Sequence, residues 1–289
     1  MRVLIDTDIG DDIDDALALA LALRHPEIEL VGVTTVFRDT LARARMARYL
    51  LDLYGHRDVP VYAGSGKPLM EPMPRLPHEP QLDLTPADVA DPTQRHAVEA
   101  ILTTYEQPDS DVTLVTIGPL TNLALALAID PTVAERIPRV VTMGGQIGRT
   151  AAEWNILCDP EAAAIVLRAG LRLTLVPLDV TLQTDMRDRH IEALAAATDE
   201  PTHWLMTLTR AWQAKSNHLP ILHDPLAVAV ALDPGRVTTQ PLSLDVVTAA
   251  GPGRGITCAV RDTHPPVDVS LEVDGEQFVD WYVEQIART

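Results

Sequence analysis

The sequence predicts an α/β fold in one domain, with a mostly parallel central sheet and helices on both faces. Three observations carry this expectation. Short runs rich in Val, Ile, Leu and Thr recur along the chain, as strands buried on both faces of a parallel sheet require. Stretches dominated by Ala and Leu lie between them and favour helix. The 289 residues, 46% of them hydrophobic, contain no long Gly/Ser linker and no repeat, and suffice for one sizeable core. Together these describe a Rossmann-like core spanning residues 1–289.

Each element follows from local chemistry. Arg2–Ile5, Ile28–Val36, Asp111–Ile117, Arg139–Met143 and Leu171–Val176 are the expected strands. Ala16–Leu23 alternates Ala with Leu, which is the period of a strand. Both residues are nevertheless strong helix formers, an Asp can cap the start, and His25–Pro26 stops the run, so helix is predicted. Thr121–Ile129, Pro160–Ala169, Pro201–Asn217 and Pro225–Leu232 read the same way, the last three with Pro in the first turn, where its missing N–H costs nothing. "AAGPGRGITC" at residues 249–258 reads as a hairpin turn, and Glu276–Ala287 as a closing helix. The proline-rich segment Gly64–Pro92 reads as an irregular surface excursion of the kind that roofs a site.

Composition narrows the partners. A formal net charge of -18 argues against nucleic acid or an anionic membrane surface, since both demand a basic patch. Cys158 and Cys258 are too few for a disulfide framework, and the opening "MRVLIDTD" reads as a strand rather than a signal peptide. Apolar runs such as Ala16–Leu23 are far shorter than the roughly 20 residues of a membrane span. A cytoplasmic protein is the expectation.

Doubly wound sheets bind ligands outside the carboxyl ends of their strands. There the sequence places Asp6, Asp8, Asp11, Asp12, Asp14 and Asp15, then "FRDT" after Val36, "GPLTN" after Ile117, and "GGQIG" followed by "EWN" after Met143. Capping a helix uses one carboxylate and leaves the other aspartates unexplained. Carboxylates forced together raise one another's pKa, so the cluster must be solvated, protonated or neutralised by a cation. An EF-hand loop is excluded, because counting from Asp6 puts Asp11 and Leu17 where Gly and Glu are needed. "HDP" at His223–Pro225 could by itself be an ordinary capped helix start. Trp204 and Trp212 favour core positions on size alone.

Several motifs in order carry a more specific signal: "DTDIG" with a following "DDALAL", "GVTTV" and then "DT", "GPLTNLALAL", "VVTMGG", "EWNILCDPEAA" and "HDPLAVA". In this order and spacing they resemble the nucleoside hydrolases, calcium-dependent N-ribohydrolases that include the inosine–uridine preferring enzymes. The resemblance runs from residue 3 to about residue 235. It implies a nucleoside hydrolase fold, a Ca²⁺ ion in the pocket, a nucleoside as substrate, and a homodimer or homotetramer. By the same resemblance, Asp8, Asp15, Asp224 and the carbonyl of Ile117 would be the metal ligands, and Asp8 also the general base toward water. Asp14, Asp39, Glu153, Asn155 and the Met143 backbone would grip the ribose. His223 would act on the leaving base, with Trp154, His78 and Trp212 on the base side of the pocket.

The sequence departs from the family pattern in three places. Ile9 replaces the usual Pro of a "DxDPGxDDA" run, and two added residues make Asp11 and Asp12 competitors of Asp14 and Asp15. The helix register of "DDALAL" favours the later pair. The stretch from Met143 to Glu153 is shorter than in the inosine–uridine enzymes and lacks an Asn placed against the ribose; either Arg149 stands in or nothing does. The segment around His78 differs most. Two rival classes are a haloacid-dehalogenase-like, Mg-dependent phosphatase, which needs a lysine at a later strand end, and a catalytically inactive calcium-binding relative. Lys67 and Lys215 both lie in poor contexts for the former.

Overall fold

A computed structural model describes residues 1–70, 81–261 and 263–288. Among the described residues, ten strands occupy Arg2–Thr7 (β1), Glu29–Thr35 (β2), Val61–Ala63 (β3), Thr113–Thr116 (β4), Val140–Met143 (β5), Leu173–Val176 (β6), Val237–Leu242 (β7), Leu244–Val246 (β8), Thr257–Ala259 (β9) and Val267–Val273 (β10). The helices that matter below are Asp14–Arg24 (α1), Thr40–Leu53 (α2), Ala97–Thr104 (α3), Thr121–Ile129 (α4), Val133–Arg136 (α5), Trp154–Cys158 (α6), Pro160–Arg168 (α7), Leu178–Thr181 (α8), Asp188–Ala195 (α9), Glu200–Ser216 (α10), His223–Leu232 (α11) and Gly275–Ala287 (α12).

The main sheet has eight strands in the order β3-β2-β1-β4-β5-β6-β10-β7, all parallel to their neighbours except β7, which runs antiparallel along β10. From β1 the chain moves outward to β2 and β3, then returns to lay β4 on the other side of β1. This reversal is the topological switch point, where doubly wound sheets open a crevice.

Period-2 alternation divides the core. Val3 and Ile5 of β1, Val115 of β4 and Val141 of β5 face a cluster completed by α1, α2, α10, α11 and α12, whereas Leu4, Leu114 and Val140 face one built with α3, α4 and α7. Helix α1 is enclosed on all sides, every residue from Asp14 to Leu23 being buried. That explains its Ala/Leu composition: a helix hydrophobic all round needs no amphipathic period.

The expected strands and helices are present with ends shifted by a few residues. The anticipated hairpin turn joins β8 to β9, closed by the Val247 N–H donating to the Ile256 carbonyl over 2.9 Å. Helix α2 was not anticipated, because its arginines obscure the apolar period while Arg43 and Arg48 are in fact buried. No helix among the described residues is long and apolar enough to cross a membrane.

Candidate active site

A cavity of about 380 Å³ opens at the switch point. Strands β1 and β4 place its floor: the Ile117 N–H donates to the Asp6 carbonyl at 2.8 Å, which carries the β1–β4 ladder past the strand ends and sets Asp8 beside Ile117. Gly118 follows directly, and a Cβ there would lie 2.8 Å from Asp8 Oδ1 and 2.9 Å from its backbone nitrogen. Only glycine lets the two strand ends approach this closely. Helices α1 and α11 then bring Asp14, Asp15 and Asp224 to the same point from opposite ends of the sequence.

Carboxylate oxygens of Asp14, Asp15 and Asp224, all buried, lie within 4.8 Å of one another. The Asp224 N–H donates to Asp14 Oδ2 at 3.3 Å, and the Thr7 hydroxyl donates to Asp15 Oδ1. Burial drives each of these carboxyls well above the usual carboxylate range, and neighbouring charge adds to it: Asp12 acts on Asp14, Asp14 on Asp15 and on Asp224. Asp8 is raised by burial and by Asp15. Like charges so confined fit a divalent cation, which would convert their repulsion into attraction. The donor set is entirely oxygen, as hard cations require. The resemblance assigned Asp8 to the ion and Asp14 to the sugar, whereas the tightest group contains Asp14; Asp8 lines the same cavity.

The opposite wall is built by the loop after β5. Glu153 caps α6, its Oε1 accepting from the Asn155 N–H at 2.8 Å and its Oε2 from the Ile156 and Gly145 N–H groups at 3.1 and 2.9 Å. Burial raises this carboxyl, and the Asn155 and Gly145 N–H groups oppose the rise. Fixed in this way, Asn155 donates its side-chain amide to the carbonyls of Ile117 at 3.0 Å and Met143 at 3.4 Å. Across the cavity the His223 ring rests its Nδ1 2.7 Å from the Thr181 hydroxyl, and burial lowers its pKa to about 4. Its imidazole is therefore neutral at neutral pH.

Asp8, Asp14, Asp15, Ile117, Met143, Glu153, Trp154, Asn155, His223 and Asp224 all line the cavity. Two expected residues do not. Asp39 is exposed and caps α2, accepting the Ala42 N–H at 3.0 Å. Trp212 is 7% exposed within the core, with its ring edge-to-face on His218 at 5.0 Å, and does not line the cavity. His78 lies outside the described residues. Asp11 and Asp12, the competitors of Asp14 and Asp15 in the sequence, line the cavity as well, and so do Leu178 and Lys215, neither of which was expected at a nucleoside site. The added pair extends the acidic wall: Asp11 accepts the Trp154 indole N–H at 3.2 Å, and the Lys215 charge counters the burial-driven rise of both carboxyls. Lys215 reaches the cavity from the last turn of α10, so its context was poorer in sequence than in space. Asp6 serves the sheet instead, accepting from the Thr34 hydroxyl at 2.6 Å and the Asn122 amide at 2.8 Å.

A doubly wound sheet whose switch-point crevice is floored by buried carboxylates defines a hydrolase-like α/β protein equipped to hold a cation beside a small polar ligand. The model of the inosine-uridine preferring nucleoside hydrolase family matches residues 3–280, and the chain belongs to that family. Its members are N-ribohydrolases, and so the protein is an enzyme that hydrolyses nucleosides. It is 32% identical to the inosine-uridine preferring nucleoside hydrolase of Crithidia fasciculata, over 99% of this chain and 98% of that one. It is 34% identical to the pyrimidine-specific ribonucleoside hydrolase RihA of Shewanella sp. (strain MR-7), over 99% and 96% of the two chains. Among solved structures, a plant nucleoside hydrolase, the PpNRh1 enzyme, superposes with a TM-score of 0.90 at 28% identity, covering 100% of this chain and 99% of that one. The purine-preferring ribonucleoside hydrolase from Gardnerella vaginalis does so with a TM-score of 0.86 at 30% identity, covering 99% and 98%.

Proposed function

We propose that this enzyme cleaves the N-glycosidic bond of ribonucleosides to ribose and free base with a calcium ion held at the cavity floor. The observation that carries the reading is the buried group of Asp14, Asp15 and Asp224 at the switch point. Asp15 and Asp224, with Asp8 and the Ile117 carbonyl, would hold the ion; Asp14 stands close enough to join them. An all-oxygen donor set drawn from three separate segments suits the variable geometry of Ca²⁺ better than the strict octahedron of Mg²⁺. When bound, the ion supplies Lewis acidity toward water and toward ribose hydroxyl oxygens.

The chain's own residues do the rest. Bond cleavage gathers positive charge on the ribosyl ring, and carboxylates preorganised around the sugar stabilise that charge as it develops. Asp8, which lines the cavity with Asp15, would take a proton from the attacking water as general base. Asn155 and Glu153 set the sugar wall, and Asp14 receives ribose hydroxyls. A site built to bond those hydroxyls rejects a 2′-deoxy sugar, which would leave buried polar groups unpaired. His223 presents a neutral ring to the leaving base, oriented by Thr181. Trp154 lies on the base side, held by Asp11. The phosphatase alternative needs a lysine at a strand end in the site, whereas Lys215 sits on a helix and Lys67, which follows β3, does not line the cavity; the inactive alternative needs the sugar wall to be absent, whereas Glu153 and Asn155 line the cavity.

Release of reducing sugar from inosine and from uridine, with chelator and after calcium is restored, tests the reading. Sugar release that chelation abolishes and calcium restores is expected. Calcium binding without turnover, or phosphate release from a phosphoester, would overturn it. Family membership also supports a homodimer or homotetramer in the cytoplasm, the first of which light scattering measures.

A further inference from the structure

Arg43 is fully buried beside the acidic floor, although it lies on α2 and does not line the cavity. Its Nε donates to the Phe37 carbonyl at 2.8 Å, and its Nη1 donates to the carbonyls of Ile9, at 2.9 Å, and of Asp8 itself. One planar guanidinium thus ties two turns together, the one after β1 that carries Asp8 and the one after β2 that leads into α2. The second turn is strained: Phe37 and Arg38 are consecutive non-glycine residues in the left-handed region, with φ of 71° and 59°. Their N–H groups are held by the carbonyls of Ser65 and Gly66, each at 2.8 Å. The Phe37 ring lies under the Arg43 guanidinium at 5.9 Å and meets Trp154 edge-to-face at 6.4 Å.

A buried guanidinium that donates to backbone carbonyls fixes main-chain position, and its rigid fork cannot be copied by an ammonium. We propose that Arg43 is a positioning residue that holds the Asp8 turn in its ligand-ready shape before any cation arrives. The inference rests on the metal-dependent reading above. Two donated bonds fix the Asp8–Ile9 and Ile9–Gly10 peptide groups, so Arg43 holds the turn that sets the direction of the Asp8 carboxylate. The cation then enters a site whose ordering cost has already been met in folding, which favours tight binding.

Arg48 supplies the control. It is also buried on α2 and also clamps carbonyls, those of Val59 and His56 at 2.5 and 2.7 Å, but these belong to the loop before β3, away from the cavity. Arg43→Lys and Arg48→Lys should lower the melting temperature alike. Only Arg43→Lys should weaken calcium binding, measured by titration calorimetry without nucleoside, by about tenfold or more, the scale on which supporting contacts tune metal sites. It should also reduce kcat more than it changes KM at saturating calcium. If Arg43→Lys binds calcium as tightly as Arg48→Lys, Arg43 is merely structural and the inference falls while the metal-dependent reading stands. Failure of the wild type to bind calcium would overturn both. Should the variant not fold, hydrogen exchange on the metal-free wild type decides: residues 8–10 protected to the same degree with and without calcium support a turn held by the protein, and protection that appears only with calcium overturns it.

Discussion

The side-chain amide of Asn155 donates to the carbonyl oxygen of Ile117 across 3.0 Å, joining the wall of the cavity to its floor. A carbonyl oxygen has two acceptor directions, so this bond leaves one for a cation. Asn155→Asp replaces a donor with a negative oxygen against that carbonyl and should impair turnover more than Asn155→Ala, which only removes the bond. Calcium titration and steady-state kinetics on both variants measure this. Equal losses would mean that Asn155 acts on the sugar alone.

The two aspartate pairs should separate in a metal titration. Asp15 belongs to the tight carboxylate group, whereas Asp11 is engaged with the Trp154 indole on the wall. Asp15→Asn should cost about a hundredfold or more in calcium affinity, and Asp11→Asn less than about tenfold, since a supporting position tunes a site by smaller factors than a ligand. The reverse order would move the ion to the earlier pair.

Calcium binding should release protons, and the sign follows from the raised carboxyls. Asp8, Asp14, Asp15 and Asp224 all hold their protons above the usual carboxylate range in the metal-free protein, by burial first. A cation binds only the ionised form, so it must displace those protons, and apparent affinity must fall as pH is lowered. The same shift means that the folded metal-free protein binds more protons than the unfolded chain, so its stability declines as pH rises above the unfolded carboxylate pKa of about 4. Calorimetry in two buffers of different ionisation enthalpy, repeated over a descending pH series, reads the protons directly; buffer-independent heats throughout the series would contradict the raised values.

Trp212→Ala should destabilise the fold without changing base preference. The ring is 7% exposed in the core, and truncating a buried tryptophan typically costs roughly 3–5 kcal/mol. The ratio of kcat/KM for a purine over a pyrimidine nucleoside should match the wild type while the melting temperature falls. A changed ratio at unchanged stability would return Trp212 to the base pocket.

The strands of the sheet centre were legible because burial on both faces leaves an unbroken run of Val, Leu, Met and Thr without charge, as in Thr113–Thr116 and Val140–Met143. Helix α2 was not, because arginine at Arg43 and Arg48 reads as a solvated face until the carbonyls it binds are known. The acidic floor announced itself, since six aspartates in ten positions exceed any capping need. What stayed hidden depends on angles between elements. Whether α10 offers Trp212 or Lys215 to the cavity is decided by how that helix packs; size alone favoured the core for Trp212, and only the resemblance put it on the base side. The capping role of Asp39 was written in the "DT" that opens α2, but the family resemblance outweighed it.

The strand order has a consequence for how the chain is made. β1 is synthesised before the other nine described strands yet ends in the middle of the sheet, between β2 and β4, so one of its edges waits until residues 113–116 leave the ribosome. Its aspartates wait longer still, since Asp224 comes more than two hundred residues after Asp15. An early nascent chain therefore displays an unpaired apolar edge beside an uncompensated acidic turn, the kind of surface that chaperones capture. Arg43 is the exception to this delay: it follows β1 by only a few dozen residues, and the turn it clamps can close as soon as β2 and α2 have emerged.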